Sequence, residues 1–324
     1  MLYETIQLFS SNDLNIPLII TCKEAPEYAK KSEDFRKLAS EMGSNFIYTE
    51  KAKTSDIIDE IRELNPDIAI SINWINIIKK DLISSFKMGI LNAHAGDLPR
   101  YRGNACPNWA ILNNEKKVVV SIHLMDEGLD TGPIVLKDNY PIDSETKIGD
   151  VYDYFNKNIP RLFLKAVKGL ESGVITPKKQ STDKKDILRC YPRIPSDSFI
   201  DWNKSAIEIS KLVKASSEPF NGAYTYLNME RFVIWEAYAL QEGVEMLSIP
   251  GHVLWKNKKT GEVGISTGDG VLVLRLVEKG ISGKVKPNKI IKSLRTRLGL
   301  MVEDELFELN KRVEHLENER NGLS

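Results

Sequence analysis

The sequence predicts an α/β protein: a mostly parallel sheet with helices on both faces, followed by a smaller β-rich, barrel-like domain. Three observations carry this. Over the first 170 residues, short apolar runs alternate with amphipathic helical stretches, the order that builds a parallel sheet. After Gly173 the chain turns polar and punctuated, with Pro177, Lys178, Lys179 and Gln180. Beyond residue 216 the period shortens to strands separated by glycine turns.

Taken in order, residues 3–11 read as a short helix and Ile16 to Thr21 as a continuous apolar strand. Ser32 to Met42 is a helix stopped by Gly43, with Phe35, Leu38, Ala39 and Met42 on one face. A strand at Asn45–Tyr48, a helix at Ser55–Leu64 ended by Pro66, and a strand at Asp67–Ile72 continue the alternation. Two further strands, Ile90–His94 and Val118–Met125, flank glycine-rich turns, and Ile148 to Leu170 is a long helix carrying Pro160.

The polar stretch after Gly173 leads to a helix that ends near Ala215, with Ile207, Ile209, Leu212 and Val213 as its apolar members. Strands follow at Ala223–Leu227, Arg231–Ala237, His252–Lys256, Glu262–Ser266 and Val271–Val277. The predicted domains are therefore 1–180, a linker and helix over 181–215, a β-rich domain over 216–299, and a C-terminal helix over 300–324. In that last stretch Leu306, Leu309, Val313 and Leu316 follow a 3-4-3 spacing. It suits intramolecular packing, a frayed surface helix, docking or a homodimer, and is under three heptads.

Bulk numbers narrow the class. Forty-five basic and 45 acidic residues cancel, which removes the simplest argument for a nucleic-acid partner. Three cysteines with no close pair form neither a disulfide framework nor a zinc spacing and suit a cytoplasmic setting. No apolar run reaches the roughly 18–20 residues that span a bilayer, so no membrane partner is expected.

Asn92 and His94 lie two apart on one strand, so both side chains point to the same face. Asp130, from a neighbouring glycine-rich turn, could hydrogen-bond the imidazole. An amide for a developing oxyanion, an imidazole for the proton and a carboxylate to fix its tautomer would fit acyl transfer. The plainer alternative is a satisfied core histidine beside a turn-forming aspartate. A metal site is the weaker reading: His123 could face the same cavity, but two histidines and one aspartate lack ligand spacing. His252 and His315 read as structural or exposed.

The run Leu91-Asn92-Ala93-His94, with Leu98-Pro99-Arg100-Tyr101-Arg102-Gly103 and then Gly128-Leu129-Asp130-Thr131-Gly132, resembles the formyltransferases that use 10-formyltetrahydrofolate. These include methionyl-tRNA formyltransferase and the sugar N-formyltransferases. The resemblance covers most of the chain, and Pro250-Gly251 with Thr267-Gly268-Asp269-Gly270 looks like the family's OB-like C-terminal barrel. It implies a Rossmann-like catalytic domain in which Asn92, His94 and Asp130 match the catalytic trio. It also implies folate contacts from Asn73, Trp74 and Ile75, and from Leu98, Asp126 and Gly128, with no metal. One departure stands out: family members begin with a strand and a glycine-containing turn, whereas this chain starts within the first helix.

Two segments bear on the acceptor. Pro107-Asn108-Trp109 and Arg193-Ile194-Pro195-Ser196-Asp197 resemble the sugar-nucleotide enzymes, especially those acting on UDP-linked 4-amino sugars. Arg100, Arg102 and Arg193 suit a diphosphate, Trp109 could stack on a base, and Asp197 completes the predicted substrate set. The expected reaction formylates a UDP- or TDP-linked 4-amino sugar for glycan or surface-polysaccharide biosynthesis. tRNA is disfavoured as a partner, although the basic run Lys284–Arg297 would suit it. Methionyl-tRNA formyltransferase and a folate-binding homologue without catalysis are the alternatives.

Overall fold

The computed structural model describes residues 1–23, 30–49, 54–74, 78–240, 247–300 and 302–322. The chain divides into two compact units, Met1–Arg193 and Ile194–Ser324. Residues 181–193 group with the first unit, and their short strand pairs back into it.

The first unit opens with α1 (Leu2–Ser10) and β1 (Leu18–Thr21), then α2 (Ser32–Met42), β2 (Asn45–Tyr48), α3 (Thr54–Leu64) and β3 (Ala69–Ser71). α2 ends where the sequence places its stop: Gly43 adopts φ +70°, a left-handed conformation that costs glycine nothing. Ile6, Ile19, Leu38 and Ala39 bury together, which explains why these helices lie against β1. β1 and β2 pair in parallel, as β-α-β segments require.

A short helix α4 (Lys80–Ile83) precedes β4 (Ile90–His94), β5 (Arg102–Gly103), α5 (Cys106–Leu112), β6 (Lys117–Leu124), β7 (Ile134–Pro141), α6 (Ile148–Glu171) and β8 (Arg189–Cys190). The site-bearing sheet has the order β3-β4-β6-β7. β3 and β4 are parallel, whereas β6 runs antiparallel to β4 and β7 antiparallel to β6. β4 therefore sits where strand direction reverses. Its carboxyl end opens beside that reversal, the place where α/β sheets present polar groups to a ligand. β5 and β8 form a separate parallel pair.

α6 is continuous from Ile148 to Glu171 and runs through Pro160. Val151, Phe155, Ile159 and Phe163 lie on its buried face. β7 and α5 are additional to the expected elements. β7 alternates half-buried and exposed positions from Leu136 on, with Lys137, Asp138 and Asn139 in its middle, so it lacks a long apolar run. α5 has only seven residues, with Pro107 in its first turn.

The second unit holds α7 (Ala206–Ser216), β9 (Ala223–Leu227), β10 (Glu230–Leu240), β11 (Val253–Lys256), β12 (Val263–Ser266), β13 (Val271–Lys279) and α8 (Val302–Gly322). α7 starts at a capping box in which the Ser205 hydroxyl accepts from Glu208 N–H while Glu208 returns to Ser205 N–H. The five strands form an antiparallel sheet of order β11-β12-β13-β10-β9. Ile209 and Val213 of α7 pack with Phe232, Ile234, Ile265, Leu272 and Leu274. Among the described residues no helix is long and apolar enough to cross a membrane.

Candidate active site

Asn92 and His94 occupy the last turn of β4's pleat and project to one face, as their spacing requires. Across the β4–β6 ladder Asn92 lies opposite His123, and His94 opposite Ser121. The sheet thus delivers a second imidazole to the same face.

Hydrogen-bond accounting fixes most donors. His123 Nδ1 lies 2.8 Å from the Leu124 carbonyl, so that nitrogen carries the hydrogen. Burial holds the His123 pKa below the usual histidine value, against the upward pull of that backbone bond. The ring is therefore neutral, and its Nε2 accepts from Asn92 Nδ2 at 3.2 Å. Among the described residues the second amide hydrogen of Asn92 meets no acceptor.

His94 Nε2 lies 2.6 Å from the Tyr101 carbonyl and donates to it. That leaves Nδ1 facing Asp130 Oδ2 at 3.5 Å, with both side chains nearly buried. Asp130 also accepts the Gly103 N–H at 2.8 Å and lies 3.8 Å from His123 Nε2. The carboxylate is held from behind, too. Gln180 Nε2 donates to the Asp130 and Gly132 carbonyls at 2.8 and 2.7 Å.

Close approach explains three glycines of the motif. A Cβ on Gly96 would lie 2.2 Å from the Tyr101 carbonyl oxygen and 2.5 Å from His94 Nε2. One on Gly132 would sit 1.8 Å from the Leu124 carbonyl oxygen, and one on Gly128 2.0 Å from Thr131 Oγ1. Asp126 ties this turn together: its Oδ1 accepts from Gly128 N–H and the Thr131 hydroxyl.

The loop after β4 is pinned by the sheet. Ser121 donates to the Gly96 carbonyl, and Lys137 of β7 reaches both the Asp97 carboxylate and the Leu98 carbonyl. Leu98 is fully buried.

Cys106 adds a thiol 3.8 Å from His94 Nε2. A cysteine–histidine nucleophile is nonetheless a poor reading. A hydrogen bond with Cys190, together with burial, pushes the Cys106 thiol well above its ordinary range, and Sγ donates to the Tyr101 carbonyl.

The remaining predicted residues divide. Arg102 spends Nε and Nη2 on Gln180 Oε1, at 3.2 and 2.7 Å. Arg100 is half exposed, 3.9 Å from Glu115. Trp109 donates its indole N–H to the Tyr191 carbonyl. Asp197, in the second unit, accepts the Ile194 N–H, and Arg193 is the last residue of the first. Asn73 is exposed at φ +53° and Trp74 half-buried, while Ile75 lies outside the described residues. Ser71, paired with Asn92 in register, has a buried hydroxyl without a hydrogen-bond partner, as a pocket completed by a polar ligand would leave it.

An amide, an imidazole facing a carboxylate and a second, neutral imidazole thus meet at the end of β4 on an α/β sheet. Comparison gives the class its name. Residues 2–167 match the family described as formyl transferase, and residues 194–295 its C-terminal domain. Methionyl-tRNA formyltransferase of Thermodesulfovibrio yellowstonii is 30% identical over 278 residues, covering 85% of this chain and 86% of that one. Two solved structures share the fold. The N-formyltransferase from Helicobacter canadensis, in complex with folinic acid and dTDP-3-aminofucose, has a TM-score of 0.64 at 20% identity over 86% of this chain and 95% of that one. HypX from Aquifex aeolicus, with tetrahydrofolic acid, has a TM-score of 0.56 at 19% identity over 86% of this chain, which spans about half of HypX (47%).

The chain belongs to the formyl transferase family. The family's formyl donor is 10-formyltetrahydrofolate.

Proposed function

We propose that this protein formylates the primary amine of a nucleotide-linked amino sugar, and that Asn92, His94 and Asp130 carry the reaction. The observation behind the catalytic part is the division of hydrogen bonds in the site. His123 holds one N–H of Asn92, and the other is left for a ligand. 10-Formyltetrahydrofolate supplies the formyl carbon as the electrophile. The free Asn92 N–H donates to the negative charge that gathers on a carbonyl oxygen under attack, an effect that is typically worth about 10²–10³-fold in rate. The amine's proton passes to the pair formed by Asp130 and His94 Nδ1, where the facing carboxylate stabilises the imidazolium, and from there to the folate nitrogen that leaves as its bond to the formyl carbon breaks. Tyr101's carbonyl keeps the ring in the orientation this needs.

The sugar acceptor is supported by the Arg193–Asp197 segment and by Trp109 and Arg100 beside β5. A competing reading takes methionyl-tRNA as acceptor. It is favoured by the name of the 30% identical relative and by Lys284, Lys286, Lys289, Lys292, Arg295 and Arg297, which are all exposed in the second unit. One assay decides. The purified chain is given formylfolate with UDP- and TDP-linked 4-amino and 3-amino sugars, or with charged initiator tRNA, and kcat/KM is compared. Turnover of a sugar nucleotide at least a hundredfold more efficient than of the tRNA supports the proposal. The reverse order overturns it. Near-normal turnover by His94→Ala would overturn the catalytic assignment.

A further inference from the structure

We propose that α8 pairs in parallel with the α8 of a second copy of this chain, forming a two-stranded coiled coil. This is independent of which amine is formylated. Val302, Leu306, Leu309, Val313 and Leu316 recur at 4-3-4-3 spacing along a 21-residue helix. All five are exposed, between 49% and 62%. An unaccompanied helix of this length is marginal in water, and a seam of five exposed aliphatic side chains is what a partner would stabilise.

The spacing fixes the heptad positions. Leu306 and Val313 fall at a, and Val302, Leu309 and Leu316 at d, an unbroken aliphatic seam of the kind that two-stranded coiled coils close. The flanking charges select a second copy as the occupant. Arg312 is at g and Glu317 at e, five residues on, so in a parallel pair Arg312 meets the partner's Glu317, and symmetry supplies the contact twice. Other charges are used along the helix itself: Lys311 lies 3.6 Å from Glu308 and over the Phe307 ring, and His315 lies 3.4 Å from Glu319.

The test measures the mass of the full chain in solution by light scattering over a hundredfold concentration series. The expected result is a monomer–dimer equilibrium that Leu309→Glu shifts to monomer. Arg312→Glu and Glu317→Arg should each raise the dimer Kd about tenfold, and the double variant should restore it to within about twofold. Formyl transfer should match the parent in every variant, since none of these residues belongs to the proposed catalytic set. A parent that stays monomeric throughout, an assembly of any other stoichiometry, or a double variant no tighter than the singles overturns the proposal.

Discussion

Asn92 and His123 face each other across the β4–β6 ladder with Nδ2 and Nε2 3.2 Å apart, and the tautomer of the second decides the orientation of the first. Because the Leu124 carbonyl claims His123 Nδ1–H, only Nε2 can accept, and the Asn92 amide must turn its nitrogen inward. The Asn92 amide, proposed above as the oxyanion donor, is thus positioned by a residue that need not touch substrate.

Replacing His123 with leucine should fill the space but remove the acceptor. Asn92 would then be free to rotate, and a displacement on the order of 1 Å costs about 10²-fold in rate. The expectation is a large fall in kcat with KM for the amine little changed. Steady-state kinetics on folded His123→Leu protein test it; an unchanged kcat would refute the positioning role.

The same histidine should impose a pH dependence on stability. Its folded pKa is lowered by burial, so between that value and the unfolded value of about 6.5 the unfolded chain binds more protons than the folded one. Stability from this group is complete above pH 6.5 or so and is lost as pH falls below it. Urea midpoints of the parent and His123→Leu, compared at pH 7.5 and pH 5.5, should show the parent losing more on acidification. Parallel losses in both proteins would sink this assignment.

Gly96→Ala should damage chemistry more than folding. The added methyl would overlap the Tyr101 carbonyl and His94 Nε2, at 2.2 and 2.5 Å, and the loop can relieve this only by breaking the bond that orients the ring. A kcat loss of about 10²-fold with a destabilisation of about 1–3 kcal/mol is expected, measured by turnover and by chemical denaturation. Full activity in this variant would mean that the His94–Tyr101 bond is dispensable.

Much of this arrangement was legible in the chain. The period-two spacing of Asn92 and His94 fixed a shared face, Gly43 fixed the end of α2, and the switch from helical to strand period separated the two folding patterns. His123 was legible only as a doubtful metal ligand, because its partner is set by the register of β4 with β6, a pairing that no local spacing encodes. Gln180 reads only as one residue of the polar stretch after Gly173. Its role depends on reaching carbonyls 48 and 50 residues away, and a glutamine in a polar stretch gives no local sign of that. β7 escaped because a strand with one polar face between turns lacks an apolar run. Its Lys137 nevertheless secures the loop beside the site.

The two arginines of the Arg100-Tyr101-Arg102 segment, grouped by sequence as anion ligands, should separate in kinetics. Arg102 is half-buried and gives two donors to Gln180 Oε1, and the same glutamine holds the Asp130 and Gly132 carbonyls. Its guanidinium therefore braces the aspartate's turn. Arg100 is 51% exposed and only 3.9 Å from a carboxylate it shares with the Tyr101 hydroxyl, a weak pairing that a phosphate can displace. Arg102→Gln should lower kcat and stability together, by about 1–3 kcal/mol for the loss of a charge-assisted bond. Arg100→Gln should leave stability within about 0.5 kcal/mol and raise KM for the acceptor several-fold. The comparison needs only initial rates and denaturation curves for the two variants. An Arg102→Gln enzyme with normal kcat and a raised KM would return Arg102 to the substrate, and the bracing role would be abandoned.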